Sequence, residues 1–193
     1  MIFTVEKIII SIKLNMKKIN IKKGIVFWIT GLSGSGKTTI GKKIHKKIIK
    51  EHGPTIMVSG DDIRKIFKLK GYENKERLEI AKKYSQFAKY ISDQKINIII
   101  AVVAMYDEPR KWNTLNIDNY IEIYIKSNIK NIIKLNKKKI YKKKNPGKLI
   151  GIDIKPQYPK NPTIILTNFF KTDSSKIAKT LMNKINKTLY GKR

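Results

Sequence analysis

The 193-residue chain contains no cysteine, which excludes disulfides and thiolate metal sites outright. Histidine is almost as scarce. His45 and His52 are the only two, too few for an imidazole-based metal site, and both read as solvated side chains on or just past the first helix. No apolar run is long: the longest, Ile98 to Met105, falls far short of the roughly 20 residues that cross a bilayer. The first basic residue is Lys7, and the run Ile8 to Ile10 leads into no small-residue cleavage site, so a cytoplasmic protein is expected. Acidic residues are few as well, 14 against 43 Lys and Arg, for a formal charge of +29. Such an excess attracts phosphate backbones without regard to sequence. Arginine, however, supplies only 4 of the 43, and the lysines are spread along a chain crowded with Ile and Asn, as AT-rich codons would produce. Nucleic acid is therefore not expected as a partner. Where lysine serves for plain positive charge, an arginine marks a need for its planar fork, which singles out Arg64, Arg77 and Arg110. A surface ion pair is the ordinary alternative for each.

What is present begins with Gly31 to Thr38, G-L-S-G-S-G-K-T, which fits the phosphate-loop pattern G-x-x-x-x-G-K-[ST]. The apolar run 25–30 precedes it, and Ile40, Ile44 and Ile48 follow at the spacing of one helix face. Backbone N–H groups at such a strand-to-helix turn converge on phosphate oxygens, helped by the helix dipole. Gly31, Leu32, Ser33, Gly34, Ser35, Gly36, Lys37, Thr38 and Thr39 are thus the expected nucleoside triphosphate site. Lys37 would bridge the β- and γ-phosphates, and the Thr38 hydroxyl would complete the coordination of Mg²⁺.

Strand-like and helix-like segments alternate from Ile25 onward, which predicts an α/β fold: a mostly parallel five-stranded sheet with helices on both faces, in three layers. Strands are expected at 25–30, 55–58, 96–104, 120–126 and 163–167. Helices are expected at 37–50, 61–69, 75–94, 108–115, 128–142 and 174–189. One domain over 24–193 follows, behind an extension over 1–23 whose first fifteen residues read as a poorly packed upstream segment ahead of Met16. Pro146, Pro156, Pro159 and Pro162 mark a long loop, preceded by the lysine-rich run 137–144, and the stretch 135–162 is expected to be a lid.

Ser59-Gly60-Asp61-Asp62 follows the second strand at its carboxyl end, where parallel sheets place their sites. Asp61 is the candidate to hold Mg²⁺ through water or to accept a hydroxyl proton, since Gly60 lets the backbone approach ligand. Asp62 could instead cap the following helix. Arg64, one turn on, could reach an anionic acceptor.

Taken in order, Phe27 to Thr39, Gly60-Asp61-x-x-Arg64, Gly71-Tyr72, Arg77, Ala101 to Arg110, and Gly151-Ile152-Asp153 with Pro159 and Pro162 resemble the adenylylsulfate kinase family over roughly 24–167. The resemblance implies the P-loop kinase fold and transfer of the ATP γ-phosphate to the 3′-hydroxyl of adenylylsulfate. Under it, Lys37 and Asp61 carry the chemistry, with Thr38 and Asp61 at the metal. Asp61, Arg64 and Arg77 face the acceptor, Tyr72 stacks on its adenine, and a homodimer is expected. The departures fall on the acceptor side. Ser59 replaces an aspartate, Ile80 an asparagine, Ala104-Met105 a Ser-Pro pair and Leu135-Asn136 an Arg-Asp pair, while 147–151 is short and lacks a phenylalanine. A cytidine diphosphoramidate-type acceptor is the alternative these departures leave. A non-catalytic ATP- or RNA-binding module is the third reading.

Overall fold

The computed structural model describes residue 20 and residues 22–135 and 149–191. Five strands form one sheet: β1 (Val26–Thr30), β2 (Thr55–Ser59), β3 (Asn97–Val102), β4 (Tyr120–Lys126) and β5 (Ile164–Thr167). Every neighbouring pair is parallel, and the order is β2-β3-β1-β4-β5. Six helices connect them among the described residues: α1 (Lys37–His52), α2 (Gly60–Ile66), α3 (Asn74–Asp93), α4 (Asp107–Asn116), α5 (Ile129–Lys134) and α6 (Ser174–Tyr190). The fold is the expected three-layer α/β arrangement.

Side chains alternate across a strand, so β1 feeds both layers. Phe27 and Ile29 point to a cluster with Ile40, Ile44 and Ile48 of α1 and Leu181 and Ile185 of α6. Val26 and Trp28 point the other way, against Ile80, Ala81, Tyr84 and Ala88 of α3. Ile44 is fully buried, and truncating such a side chain to alanine costs about 2–5 kcal/mol. The i, i+4 apolar spacing on α1 is thus a sheet-facing stripe, and the loop before it is fixed at the carboxyl end of β1. There the strand order switches from the β2–β3 side to the β4–β5 side, the position where open parallel sheets bind ligands.

Differences from expectation have local causes. The helix expected over 61–69 stops at Ile66, because Lys68 takes a left-handed φ of 49° and Leu69 N bonds back to Arg64 O. β3 ends at Val102, level with Thr30 at the end of its partner β1. The helix expected over 128–142 runs from Ile129 to Lys134 with Leu135 as its C-cap, and 136–142 lie outside the described residues, as do the lysine run 137–144 and residues 1–15. Residue 20 is already tied to the sheet: Asn20 N donates to Asn119 Oδ1 at 2.9 Å and Asn119 Nδ2 returns to Asn20 O at 2.9 Å. Neither histidine is a freely solvated side chain. His45 Nε2 lies 2.9 Å from Thr55 O, and His52 Nδ1 lies 2.9 Å from the Tyr190 hydroxyl with the rings stacked at 5.7 Å.

Candidate active site

The phosphate loop curls into a cavity of about 630 Å³ at the carboxyl end of β1. Gly31, Gly34 and Gly36 have φ of 149°, 78° and 96°, all in the positive region that L side chains avoid. At Gly31 a Cβ would also stand 2.6 Å from Ile125 O, so neither the backbone path nor the space permits another residue. Of the nine residues expected at ATP, Ser33, Gly34, Gly36, Lys37, Thr38 and Thr39 line the cavity. Gly31, Leu32 and Ser35 are buried in the wall behind it, and their part is to shape the loop. The Lys37 ammonium is buried within the loop, where it donates to Leu32 O at 2.7 Å.

The opposite wall is built by α2 and α3. Ser59 caps α2 in a reciprocal box: Asp62 N donates to Ser59 Oγ, while Ser59 N and Oγ donate to Asp62 Oδ2 at 2.8 and 2.7 Å. These bonds hold the Asp62 carboxyl below its ordinary range. Asp62 is therefore spent on the helix end, and on this wall Asp61 is the carboxylate that reaches the cavity. Arg64 donates to Leu69 O and Gly71 O at 3.3 and 3.0 Å, and Arg77 Nε donates to Tyr72 O at 2.8 Å. Both guanidinium carbons lie near the centroid of the Tyr72 ring, at 4.9 and 5.2 Å. The two cations and the exposed aromatic form one unit, in which burial and the neighbouring Arg64 charge lower the affinity of Arg77 for its proton. Two adjacent guanidinium groups favour a ligand carrying more than one negative charge.

Ile80, Ala81 and Tyr84 put one face of α3 against the same cavity. Among the described residues no three His, Asp or Glu gather into a metal cluster. Thr38 and Asp61 do both face the cavity, a sparse set suited to Mg²⁺, which keeps waters and takes phosphate oxygens as ligands.

Asn168 escaped the sequence reading, and Arg110, singled out there, is held differently from a surface ion pair. Asn168, just past β5 and 6% exposed, donates through Nδ2 to Ser35 O at 3.0 Å and accepts from Phe170 N at 2.9 Å. It latches the phosphate loop to the segment before α6, and a Cβ on Gly36 would come within 2.9 Å of its amide. Arg110 is 4% exposed, not a surface residue, and joins Asp107, Gln157 O at 2.7 Å and Glu122, whose Oε1 is 3.1 Å from Nε. Burial raises the Glu122 carboxyl to about 6, against the opposing pull of Arg110. This clasp fixes the proline-rich stretch beside Met105, whose O accepts from Gln157 N at 2.9 Å. Leu149 and Ile150, at the start of that stretch, line the cavity.

Residues 23–167 match the adenylylsulphate kinase family. The chain belongs to this family. Its members are kinases, so the protein is a phosphotransferase with an alcohol group as acceptor. A cytidine diphosphoramidate kinase from Campylobacter jejuni is 33% identical over 143 residues, 72% of this chain and 84% of the relative. An adenylyl-sulfate kinase from Staphylococcus epidermidis is 33% identical over 150 residues, 75% of each chain. Among solved structures, the Mycobacterium tuberculosis APS kinase in complex with AMPPNP and APS shares the fold, with a TM-score of 0.75 at 22% identity over 85% of this chain and 98% of that one. No helix among the described residues is long and apolar enough to cross a membrane.

Proposed function

We propose that the protein transfers the γ-phosphate of ATP to a ribose hydroxyl of a nucleotide whose 5′ group carries two negative charges. The observation that carries this reading is that the phosphate loop and Asp61 face one cavity, with Arg64, Tyr72 and Arg77 on its far wall. ATP binds along Ser33 to Thr39, with Lys37 neutralising the β- and γ-phosphates. Thr38 and Asp61 would hold Mg²⁺, which would supply further charge neutralisation at the phosphates. Asp61 accepts the proton of the attacking hydroxyl. Arg64 and Arg77 hold the acceptor's anionic groups, and the Tyr72 ring, exposed beside them, is the stacking surface for its base. Catalysis then rests on in-line positioning in a site that concentrates cations around developing charge.

Adenylylsulfate, phosphorylated at its 3′-hydroxyl, is the acceptor that the family implies. A cytidine diphosphoramidate-type nucleotide is the second reading, and two observations favour it: the C. jejuni relative, and the wholly apolar side chain of Ile80, 5% exposed on the acceptor wall. An amide at that position would pair with a polar base edge, whereas Ile80 leaves such an edge unsatisfied. A homodimer in the cytoplasm belongs to the same reading. The test is ADP release with each nucleotide at saturating ATP and Mg²⁺. Turnover with either supports the kinase reading, the ratio of kcat/KM assigns the acceptor, and release no faster than with ATP alone contradicts it.

A further inference from the structure

Tyr84 is buried on the cavity-facing side of α3, one turn beyond Ile80. Its hydroxyl donates to Gly60 O at 3.2 Å, at the turn that carries Asp61. Burial raises the pKa of the same phenol, and against it the Arg64 charge beside the ring favours the ionised form. Tyr84 and Gly60 are in close register, a Cβ on Gly60 standing at ordinary contact distance, 3.4 Å, from the phenol oxygen. An unbonded phenol so deeply buried would be costly, yet valine or leucine would fill an apolar helix face equally well. The hydroxyl therefore serves the carbonyl it bonds and the cation beside it. One begins the Asp61 turn and the other is the cation nearest the Tyr72 ring.

We infer that Tyr84 is a positioning residue for phosphotransfer, setting Asp61 through the Gly60 carbonyl and Arg64 through its guanidinium. It couples the group that takes the hydroxyl proton to the group that holds the acceptor's charge. On the ATP side nothing depends on it: Lys37 and Thr38 sit on α1 and are shaped by Leu32, Ser35 and Asn168. A defect confined to the acceptor and to turnover is the signature of this role. Loss of a merely structural tyrosine would lower the melting temperature and disturb both substrates together.

The inference rests on the proposed kinase reading, and the test separates the two. Steady-state kinetics of wild type, Tyr84→Phe and Tyr90→Phe are compared, the last altering an exposed tyrosine on the same helix. Tyr84→Phe is expected to lower kcat by about tenfold and raise the acceptor KM severalfold, with the ATP KM within about twofold. Tyr90→Phe should match wild type. Equal kinetics for Tyr84→Phe and wild type, or parallel rises in both KM values, overturn the inference while leaving the kinase reading intact. If wild type turns over no nucleotide, the kinase reading fails alone, and pyrophosphate titrated into ADP-saturated protein decides for Tyr84. Weaker pyrophosphate binding by Tyr84→Phe supports the Arg64 coupling, and equal binding overturns it.

Discussion

The two walls of the cavity are held in different ways. On the phosphate-loop side the recognising surface is mostly backbone: three glycines at positive φ, a buried ammonium bonded to Leu32 O, and the Asn168 amide fastening Ser35 from behind. On the α2–α3 side the surface is side chain on side chain, with Arg64, Arg77, Tyr72 and Tyr84 each leaning on another or on a nearby carbonyl. A backbone cradle tolerates few substitutions, since most alter its path. A side-chain wall can be re-specified one residue at a time, and in the proposed reading Ser59 and Ile80 are the positions where this applies. Under the proposed function, the phosphate donor is fixed by conformation and the acceptor by composition.

The most severe way to probe that division is Lys37→Ala. Removing the β/γ-phosphate cation should lower kcat by about 10³-fold, equally for every acceptor, as measured by ADP release. Unequal losses between acceptors would mean that Lys37 also reads the acceptor. Asp61→Asn comes next, with kcat expected to fall about 100-fold while ADP affinity by calorimetry stays within about twofold. An equal loss in both would move Asp61 from the chemistry to nucleotide holding. Ile80→Asn sharpens the comparison instead of breaking it: the ratio of kcat/KM for adenylylsulfate over a cytidine diphosphoramidate nucleotide should rise about tenfold, with the ATP KM unchanged.

Glu122 gives the smallest effect on the comparison and serves as its control. Its carboxyl is raised from 4.5 to about 6 in the fold, so the folded state holds that proton more tightly than the unfolded chain. The associated stability is fully present below pH 4.5 and lost as pH rises through 6, an effect of about 2 kcal/mol. Denaturant unfolding should lose that pH dependence in Glu122→Gln, and the preference between acceptors should not move. A shifted preference would place the Arg110 clasp within acceptor recognition.

How much of this was legible in the sequence follows from the same division. The phosphate loop is contiguous and its glycines are demanded by local φ, so eight residues in a row declared it. Asp61 was separable from Asp62 by the position of Gly60, and the Ser59 cap supplies the reason that Asp62 is occupied. Arg64 and Arg77 stood out because arginine is rare in this chain, and Tyr72 through the family resemblance. Asn168 gave no local sign, since it meets Ser35 across 133 residues and only the β5–α6 packing joins them. Arg110 was conspicuous, but its burial between Glu122 and Gln157 depends on where the proline-rich stretch returns to the sheet. Short-range chemistry was readable, and contacts made by the sheet order were not.

The central claim is that a constant donor wall serves an acceptor wall open to editing. It is tested most directly by measuring kcat/KM for adenylylsulfate and a cytidine diphosphoramidate nucleotide in wild type and Ile80→Asn at saturating ATP and Mg²⁺. The account predicts acceptor-dependent ADP release by both proteins, an acceptor ratio that changes about tenfold, and a single ATP KM. An unchanged acceptor ratio accompanied by a shifted ATP KM would contradict it.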